Sequence, residues 1–407
     1  MVLAGNQEQV FRAIRGIIGA PVLRPDCSII TAPGYDAETG YYLVDPPHMP
    51  PIPVAPTKDD ARKALALLDD LLSEFPFVDA VSKSVALSGL ITPLVRPASD
   101  VVPGHLFTSP KPGSGKSLLV DTASAIATGE RAYAILAHRL PEEQDKQLAA
   151  ALLEGRQIIA LDNLSGRIDS SVLAQIMERE NLSVRTLGVS KNTAMTNGFN
   201  SYITGNNVVV AGDNVRRLLV GRIDPGIENP LDRSFEKQNP VARVFQARGE
   251  YVHACLIIVL AYVAQGSPQK LEPIPSYEKW CSLVREPLIW LGQGDPVQSM
   301  HQSFDDDPDT EILIAFMGAW PDGQTDWTCA ELIAEAERTD PKTHQLVRPG
   351  LAAALLPIAG DRRGKLDSLT LSHFLRKHKD MIVGGRKISQ QLAKTRTGTV
   401  RWVLIRV

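Results

Sequence analysis

The sequence predicts an α/β fold in which a parallel sheet is flanked by helices, with a separate C-terminal domain. Between residues 103 and 225, short apolar strands alternate with helical segments, a pattern typical of a three-layer parallel sheet. A glycine-rich loop follows one of these strands and opens a helix. An acidic, turn-rich stretch at 303–309 then precedes a basic C-terminal segment, which indicates a domain boundary.

The length of 407 residues predicts two or three folding units, because single cores seldom grow beyond about 250–300 residues. We predict four segments: a short β-rich segment with a proline-rich linker (1–56), a helical layer (57–102), the α/β core with its following helices (103–300) and a C-terminal domain (309–407). The formal net charge is -3, so any nucleic-acid contact must come from a local basic region.

The cysteines and the apolar runs predict a cytoplasmic protein that does not enter a membrane. The N-terminus lacks the basic and apolar regions of a signal peptide. The longest apolar run, 252–264, is shorter than the about 20 residues that span a bilayer, so we expect a buried helix. Widely spaced cysteines favour reduced thiols over a zinc site; they are Cys27, Cys255, Cys281 and Cys329.

The first 102 residues predict strands, then a linker, then helices. Turn residues at 32–35 and 38–40 bracket an expected hairpin. The proline-dense stretch 45–56 is expected to be an extended linker, with a ligand for a partner domain as the alternative. Thr57 and Lys58 begin a helix whose apolar residues recur at helical spacing, and a second apolar segment follows at 78–95.

The glycine-rich loop Pro110-Lys-Pro-Gly-Ser-Gly-Lys-Ser117 matches the phosphate-binding P-loop pattern except at its first position, where proline replaces glycine. Backbone N–H groups of 113–117 can still wrap phosphates at a helix N-terminus. We expect Lys116 to reach the β- and γ-phosphates of ATP and the Ser117 hydroxyl to ligate Mg²⁺. A chance lysine in a glycine-serine turn is the alternative, which the strand–loop–helix context disfavours. The expected nucleotide-binding residues are Pro110, Gly113, Ser114, Gly115, Lys116 and Ser117.

An apolar strand that ends in aspartate, Ile158-Ile-Ala-Leu-Asp162, matches the Walker B motif of P-loop NTPases. We expect Asp162 to hold Mg²⁺ through water, and the alternative is an ordinary strand with a polar end. The next residue, Asn163, can position water but is a poor base at neutral pH. Hydrolysis is then slow, or the base comes from elsewhere. Glu178 and Glu180 are both candidates, and the sequence does not choose between them.

Polar residues around the next two strands predict contacts to the transferred phosphate. Asn206 is the first candidate to contact the γ-phosphate or the attacking water, and Asn207 is the second. Arg216 and Arg217 are candidates for an arginine that stabilises charge on the phosphoryl group, often from a neighbouring subunit. Arg222 follows them. A solvated basic turn is the alternative, and the sequence does not indicate which arginine acts.

Six short stretches, taken together, resemble the ATPase part of primase–helicase proteins from phages and integrated mobile elements. They are Leu23-Arg-Pro-Asp, Pro76-Phe-Val-Asp, Ser109-Pro-Lys-Pro-Gly-Ser-Gly-Lys-Ser-Leu-Leu, Leu161-Asp-Asn-Leu-Ser-Gly, Ile203-Thr-Gly-Asn-Asn and Asp213-Asn-Val-Arg-Arg. Those proteins are AAA+-type ATPases similar to superfamily 3 helicases, and the resemblance covers most of 20–300. It implies an AAA+-like core and a ring, usually a hexamer, that hydrolyses ATP and moves along DNA.

The resemblance also implies a β-hairpin between Walker B and the sensor strand, whose tip touches DNA in the central channel. Stretches 182–190 and 194–202 are expected to form its strands. Lys191 would be the cation at the tip with Arg185 nearby, and an ordinary solvated turn is the alternative. The sequence departs from the family at Asn163, which replaces the usual acidic residue. It also lacks a primase module, so we expect any priming to need a separate protein.

Between residues 361 and 407, twelve Lys or Arg stand against three Asp, a strongly positive region in a mildly acidic chain. A helix near 369–378, a Gly-Gly turn and a terminal strand suit a winged helix, with 310–338 supplying the first helices. We expect salt-sensitive phosphate contacts, and the alternatives are a solvated face or docking onto 305–309. The candidate DNA-binding residues are Arg376, Lys377 and Lys379 on the recognition helix, and Arg386, Lys387 and Arg396 near the wing.

The sequence therefore predicts an ATP-dependent DNA helicase or translocase that uses ATP and Mg²⁺ and assembles into a ring. An ATP-binding initiator or helicase loader, which assembles on DNA without unwinding it, is the alternative that Asn163 favours. A small-molecule phosphotransferase is a third option, which the basic C-terminal segment and the arginine pair disfavour.

Overall fold

The computed structural model describes residues 12, 14–138, 140–168, 170–185, 192–305, 308–322, 326–361, 363–391 and 400–407. The chain divides into two compact units, Met1–Ser303 and Phe304–Val407. The predicted finer division of the first 300 residues stays a prediction.

Five short strands lie at the beginning of the first unit: β1 (Gly16–Ile18), β2 (Val22–Leu23), β3 (Ile29–Ile30), β4 (Gly34–Tyr35) and β5 (Tyr41–Leu43). β4 and β5 pair antiparallel, which confirms the hairpin that the turn residues predicted. The proline-rich stretch after β5 contains no helix or strand and is packed on the core. A Cβ atom at Gly249 would lie 1.7 Å from the His48 carbonyl oxygen, so only glycine allows this approach.

The helical layer consists of α1 (Lys58–Leu71) and α2 (Ala80–Val95). Thr57 caps α1 as expected, because its hydroxyl accepts the Asp60 N–H while the Asp60 carboxylate accepts the Thr57 N–H. The apolar residues of α1 face the core, and α2 is buried on nearly all sides. Burial of both helices joins this layer to the same hydrophobic core as the sheet.

The strands of the α/β core are β6 (Gly104–Ser109), β7 (Ala134–Leu136), β8 (Ile158–Arg167), β9 (Asn181–Arg185), β10 (Asn192–Thr196), β11 (Asn200–Val209) and β12 (Leu218–Arg222). Five of them form one parallel sheet in the order β12-β6-β11-β8-β7. The predicted α/β class with a parallel sheet is thereby confirmed. Because parallel strands end at a common edge, the P-loop, Asp162 and Asn206 lie at the same edge of the sheet.

Strands β9 and β10 form an antiparallel hairpin between β8 and β11. The predicted second strand, 194–202, is wrong in extent, because β10 ends at Thr196 and Tyr202 belongs to β11. The chain turns at Asn197, whose buried side-chain amide donates to the carbonyls of Ile176 and Arg179. The turn that contains Lys191 lies outside the described residues.

Eight further helices follow in the first unit: α3 (Lys116–Thr128), α4 (Pro141–Leu153), α5 (Ser171–Glu178), α6 (Pro240–Gln246), α7 (Arg248–Ala264), α8 (Glu278–Trp280), α9 (Glu286–Trp290) and α10 (Gln298–Asp305), the last of which crosses the division between the units. Helix α7 contains the longest apolar run and is buried, as expected. In the described part of the chain, no helix on its own has both the length and the apolar composition to cross a membrane. Only α6 and α7 together meet both criteria, and they are bent by 96°.

The second unit contains α11 (Pro308–Gly318), α12 (Cys329–Glu337), α13 (Pro349–Ala359), α14 (Ser368–Lys377), β13 (Arg386–Gln390) and β14 (Trp402–Arg406). β13 and β14 pair antiparallel, and Trp327 adds a short bridge to Trp402. Helix α14 matches the predicted helix, whereas α13 is an additional helix that the sequence interpretation did not include. Its presence makes four helices before the hairpin, so the winged-helix assignment stays a prediction.

Candidate nucleotide site

The P-loop connects β6 to α3 through two residues in the left-handed region of backbone conformation. Gly113 has φ +73° and Gly115 has φ +101°, values that side chains rarely adopt. A Cβ atom at Gly115 would also lie 3.3 Å from the Phe75 ring. The two glycines therefore let the loop turn tightly and pass over Phe75, even though Pro110 stands where the motif has its first glycine.

The Lys116 ammonium is held at the centre of the site by three acceptors. Its Nζ lies 3.1 Å from the Lys111 carbonyl oxygen, 3.0 Å from Ser114 Oγ and 2.8 Å from Asn206 Oδ1. Burial lowers the pKa of Lys116, an effect that the Asp162 carboxylate partly offsets. Three acceptors satisfy all three donors of the ammonium, so its position between the loop and β11 is fixed.

Ser117 and Asp162 bring two oxygen ligands together across 45 residues of sequence. Ser117 Oγ donates to Asp162 Oδ1 at 2.8 Å. A hydroxyl and a carboxylate at this separation fit Mg²⁺, which prefers oxygen ligands and takes the rest of its shell from water and phosphates. The predicted metal ligands are thus adjacent beside the loop.

Asn163 follows Asp162 in a β-bulge. Leu161 pairs with Ile203 and Leu164 pairs with Gly205, so Asp162 and Asn163 together lie opposite a single residue of β11. The backbone of Asn163 is left-handed, with φ +59°, and its side chain is exposed. Asparagine is one of the few non-glycine residues that adopt this conformation readily. The backbone of the bulge is therefore a structural reason for an asparagine at position 163, beside any catalytic one.

The two sensor candidates, Asn206 and Asn207, differ in their contacts and backbone conformation. Asn206 is on β11, which runs between the P-loop strand β6 and the Walker B strand β8, and it contacts Lys116. Asn207 has a left-handed backbone, with φ +49°, and an exposed side chain. The geometry therefore favours Asn206, the first choice from the sequence.

A cleft of about 270 Å³ opens beside the P-loop and was not predicted from the sequence. Its walls include the rings of Phe75 and Phe235 together with the side chain of Leu118. The segment after β12 closes one side, because Lys111 Nζ donates to the carbonyls of Ile227 and Glu228 at 2.7 and 3.1 Å. The lining also includes the basic residues Arg233, Lys237 and Arg243. Aromatic walls beside a phosphate-binding loop, with polar groups around them, fit the base of a nucleotide.

The arginine pair lies at the opposite edge of the sheet. Leu218, which follows Arg217, pairs with Gly104 at the start of β6, and β6 runs five residues further, to Ser109, directly before the P-loop. At about 3.3 Å per residue, roughly 17 Å separates the arginines from the loop. Neither Arg216 nor Arg217 is therefore placed to reach a phosphate held by the P-loop of its own chain.

Both arginines bind one carboxylate, but they differ in exposure. Arg216 and Arg217 lie 3.1 and 2.7 Å from the Glu178 carboxylate, and Arg217 also lies 3.3 Å from Asp213. Arg217 is only 6% exposed, whereas the side chain of Arg216 is 56% exposed. Burial raises the pKa of Glu178, but its bonds to the arginines outweigh burial and hold the pKa below its usual range. Glu178 thus forms ion pairs with the two arginines, far from the P-loop.

The structure describes some of the residues that are predicted to bind DNA, and others lie outside the described residues. Arg185 is exposed at the end of β9, next to the undescribed turn, and Glu180 precedes the same strand. Arg376 and Lys377 are exposed at the end of α14, whereas Lys379 lies in the turn beyond that helix, beside Asp380. The remaining predicted cations divide between β13, which contains Arg386 and Lys387, and the undescribed residues, which include Arg396.

Arg222 and Arg386 are more constrained than the sequence suggested. Arg222 donates to Gln302 Oε1 at 3.0 Å, which ties the end of β12 to α10. Arg386 donates to the Met317 carbonyl at 3.3 Å and lies opposite Arg406 on the neighbouring strand. A pair of like charges side by side is unfavourable in isolation.

Comparisons with known proteins give no family. No family model and no curated protein matches this sequence. Among solved structures, two of the apo C-terminal region of NrS-1 are similar in fold. One has a TM-score of 0.41 and 13% identity, covering 94% of this chain and 83% of that chain. The other has a TM-score of 0.42 and 14% identity, covering 94% and 84%.

A third similar structure is SCCmec type IV Cch, described as an active helicase. Its TM-score is 0.34 and its identity 10%, covering 95% of this chain and 76% of that chain. Likeness at these scores does not assign an activity, so function has to be argued from the site.

Proposed function

We propose that this chain is a P-loop ATPase of helicase type, which hydrolyses ATP between subunits of a ring to move along DNA. The observation that supports it most is the convergence of four side chains, from helix α3 and strands β8 and β11, at one edge of the sheet. Lys116 contacts Asn206, and Ser117 contacts Asp162. Phosphate, metal and sensor groups are therefore side by side in the apo chain.

Each of these residues has a distinct part in the proposed reaction. Bound Mg²⁺ neutralises charge on the phosphates and orients them. Ser117 and Asp162 hold that ion, Lys116 holds the β- and γ-phosphates, and Asn206 contacts the transferred group or the water. Phe75 and the cleft beside it hold the base, which fixes the nucleotide at both ends.

The position of the arginines favours action between subunits. A positively charged side chain at the transferred phosphate is worth a large factor in rate, and neither arginine reaches the loop of its own chain. We propose that Arg216, the exposed member, inserts into the neighbouring subunit's site. Arg217 is the buried anchor that orients it through their common partner Glu178.

The basic residues supply the proposed DNA contacts. Arg185 ends β9, and the family resemblance implies that Lys191 would be the cation at the tip of the channel hairpin. Arg376 and Lys377 form an exposed basic end of α14, where contacts would go mainly to phosphates. Replication of a phage or mobile element is the setting that the resemblance implies.

Strand displacement on a forked DNA substrate tests the proposal. The wild-type chain should displace the strand only with ATP, and Lys116→Ala should abolish displacement and hydrolysis together. Lys83→Ala, which removes a half-buried lysine of α2 paired with Asp69, is the matched control and should behave as wild type. Absence of ATP hydrolysis with and without single-stranded DNA would refute the proposal.

Asn163 favours a second candidate, an ATP-binding initiator or loader that assembles on DNA without unwinding it. The residue after Asp162 is an amide in a left-handed bulge, and an amide is a poor base at neutral pH. In that case the same assay would give ATP-dependent DNA binding, abolished by Lys116→Ala, with no displaced strand.

A further inference from the structure

Thr204 makes two hydrogen bonds at the nucleotide site that none of the assigned roles explains. It is a buried residue of β11. Its hydroxyl donates to Asp162 Oδ1, and the same oxygen accepts the backbone N–H of Asn163 at 3.1 Å. One side chain thus contacts both the metal-binding carboxylate and the residue next to the attacking water.

The β-bulge makes this double contact possible. Thr204 is the single residue of β11 opposite both Asp162 and Asn163. In a bulge the extra residue leaves the regular ladder of hydrogen bonds, and here the threonine hydroxyl takes the place of a strand carbonyl as acceptor. A Cβ atom at Gly205 would lie 2.2 Å from the Leu164 carbonyl oxygen, so glycine next to Thr204 lets the bulged strand approach.

The two hydroxyls on Asp162 are not equivalent once a metal binds. Ser117 and Thr204 both donate to Oδ1 of Asp162. The Ser117 oxygen is also a metal ligand, and its proton must point away from the ion it ligates. Thr204 lies on the inner side of the carboxylate, on a strand within the sheet, and can keep its bond throughout.

From this geometry we infer that Thr204 is a positioning residue, which orients the Asp162 carboxylate for Mg²⁺ and fixes the bulge at Asn163. The inference deepens the proposed function and rests on it. A group that orients a metal ligand changes metal affinity and rate, typically by about 10–100-fold, without touching the metal. Thr204 should therefore affect magnesium dependence and leave metal-free nucleotide binding unchanged.

The test compares Thr204→Val, which removes the hydroxyl at nearly constant shape, with Thr204→Ser, which keeps it. Binding of a fluorescent, slowly hydrolysed ATP analogue is titrated with Mg²⁺ and then repeated in chelator. We expect Thr204→Val to need at least about tenfold more Mg²⁺, with unchanged binding in chelator, and Thr204→Ser to match wild type. In an Asp162→Asn background, Thr204→Val should add no further magnesium dependence.

Thr122→Val is the matched control. Thr122 is equally buried, but its hydroxyl donates only to the Leu118 carbonyl within α3. If Thr204→Val and Thr122→Val have the same magnesium dependence, the inference is wrong. It is also wrong if Thr204→Ser is the damaged variant, since the methyl group would then be what matters. If Thr204→Val does not fold, Thr204→Ala replaces it with the same expectations.

Failure of this inference is distinguishable from failure of the proposed function. A wild-type chain that binds no nucleotide and hydrolyses none contradicts the proposed function itself. A wild-type chain with Mg²⁺-dependent hydrolysis, lost in Lys116→Ala but unchanged in Thr204→Val, contradicts only the role of Thr204.

Discussion

Under the proposed function, the two edges of the central sheet would supply different halves of a phosphoryl-transfer site. At the carboxyl edge, Lys116, Ser117 and Asp162 supply groups for phosphates and metal. At the amino edge, Arg216 and Arg217 gather on Glu178. Roughly 17 Å of strand lies between them, so the edges cannot act on the same nucleotide within one chain. The separation explains why self-association would be needed to complete a site.

The edges also differ in how they are held together. At the carboxyl edge, hydrogen bonds among neutral and charged side chains join helix α3 to strands β8 and β11. At the amino edge, the carboxylates of Glu178 and Asp213 restrain the two arginines, and Arg216 is the more exposed of the two. If the proposed function is right, the first edge sets nucleotide affinity and metal use, and the second sets how assembly affects the rate of hydrolysis.

Separate replacement of the two arginines should give the largest contrast between the edges. Arg216→Ala should lower the assembled hydrolysis rate by about 10³-fold or more, because an arginine at the transferred phosphate is worth that factor. Its stability should change by less than about 1 kcal/mol, as for exposed ion pairs. Steady-state ATPase assays and chemical denaturation measure the two effects.

Arg217→Ala is the counterpart and should act through folding. Removing a buried guanidinium leaves Glu178 without its shorter ion pair and should cost about 1–3 kcal/mol of unfolding free energy. If Arg217→Ala lowers the rate while stability is intact, and Arg216→Ala does not lower it, the assignment of the two arginines is reversed.

Phe75→Ala should weaken nucleotide binding at the carboxyl edge by about tenfold, since stacking of a base on an aromatic ring contributes about 1–3 kcal/mol. The turnover at saturating ATP should change much less, because contact with the base supports binding and does not act on the transferred phosphate. Titration calorimetry with ADP checks the affinity. Phe245→Ala, which removes an exposed ring of α6, is the control, and equal effects of the two variants would rule out the base pocket.

Asn163→Ala should destabilise the chain by about 1 kcal/mol, because alanine is disfavoured in a left-handed conformation. Asn163→Gly should not destabilise it, since glycine adopts positive φ freely. Thermal and denaturant unfolding of both variants, alongside their hydrolysis rates, separates the structural part of Asn163 from its catalytic part. Equal stability of the two variants would show that the bulge does not depend on this residue's backbone.

The smallest expected effect is the pH dependence of the amino edge. The arginines hold the pKa of Glu178 below its usual range, so the folded state binds fewer protons than the unfolded state near that range. The resulting stabilisation is present above the unfolded pKa of glutamate, about 4.3, and is lost as pH falls through the lower folded pKa. Glu178→Gln should flatten the acid limb of the stability curve, and an unchanged limb would show that the ion pairs are not formed in solution.

The sequence predicted most of the carboxyl edge and little of the amino edge. Lys116, Ser117 and Asp162 lie in motifs whose spacing reflects one backbone geometry, so their meeting follows from the strand–loop–helix pattern. Thr204 belongs to the stretch Ile203-Thr-Gly-Asn-Asn. Its role, however, depends on the bulge at Asn163, which the alternation of side chains along a strand does not reveal. The sequence signal that could have indicated the bulge is an asparagine directly after the Walker B aspartate, since asparagine adopts a left-handed conformation readily.

The cleft and the arginine clamp depend on contacts that are distant in sequence. Phe75 and Phe235 meet at the P-loop from segments 160 residues apart, and no local pattern joins them. Glu178 was considered as a catalytic base because it carries a carboxylate after Walker B. Its helix α5 instead runs to the amino edge, where Arg217 binds it. Long-range pairing of this kind is decided by packing and not by spacing.

Mixed assemblies test most directly the claim that each site is completed by two chains. Lys116→Ala lacks the carboxyl-edge half and Arg216→Ala lacks the amino-edge half, so each variant alone should be inactive. Mixed together, they should recover a substantial part of the ATPase rate, because some interfaces combine an intact P-loop with an intact Arg216. Activity of Arg216→Ala alone, or no recovery in a mixture that native mass measurement shows to be co-assembled, would contradict the account.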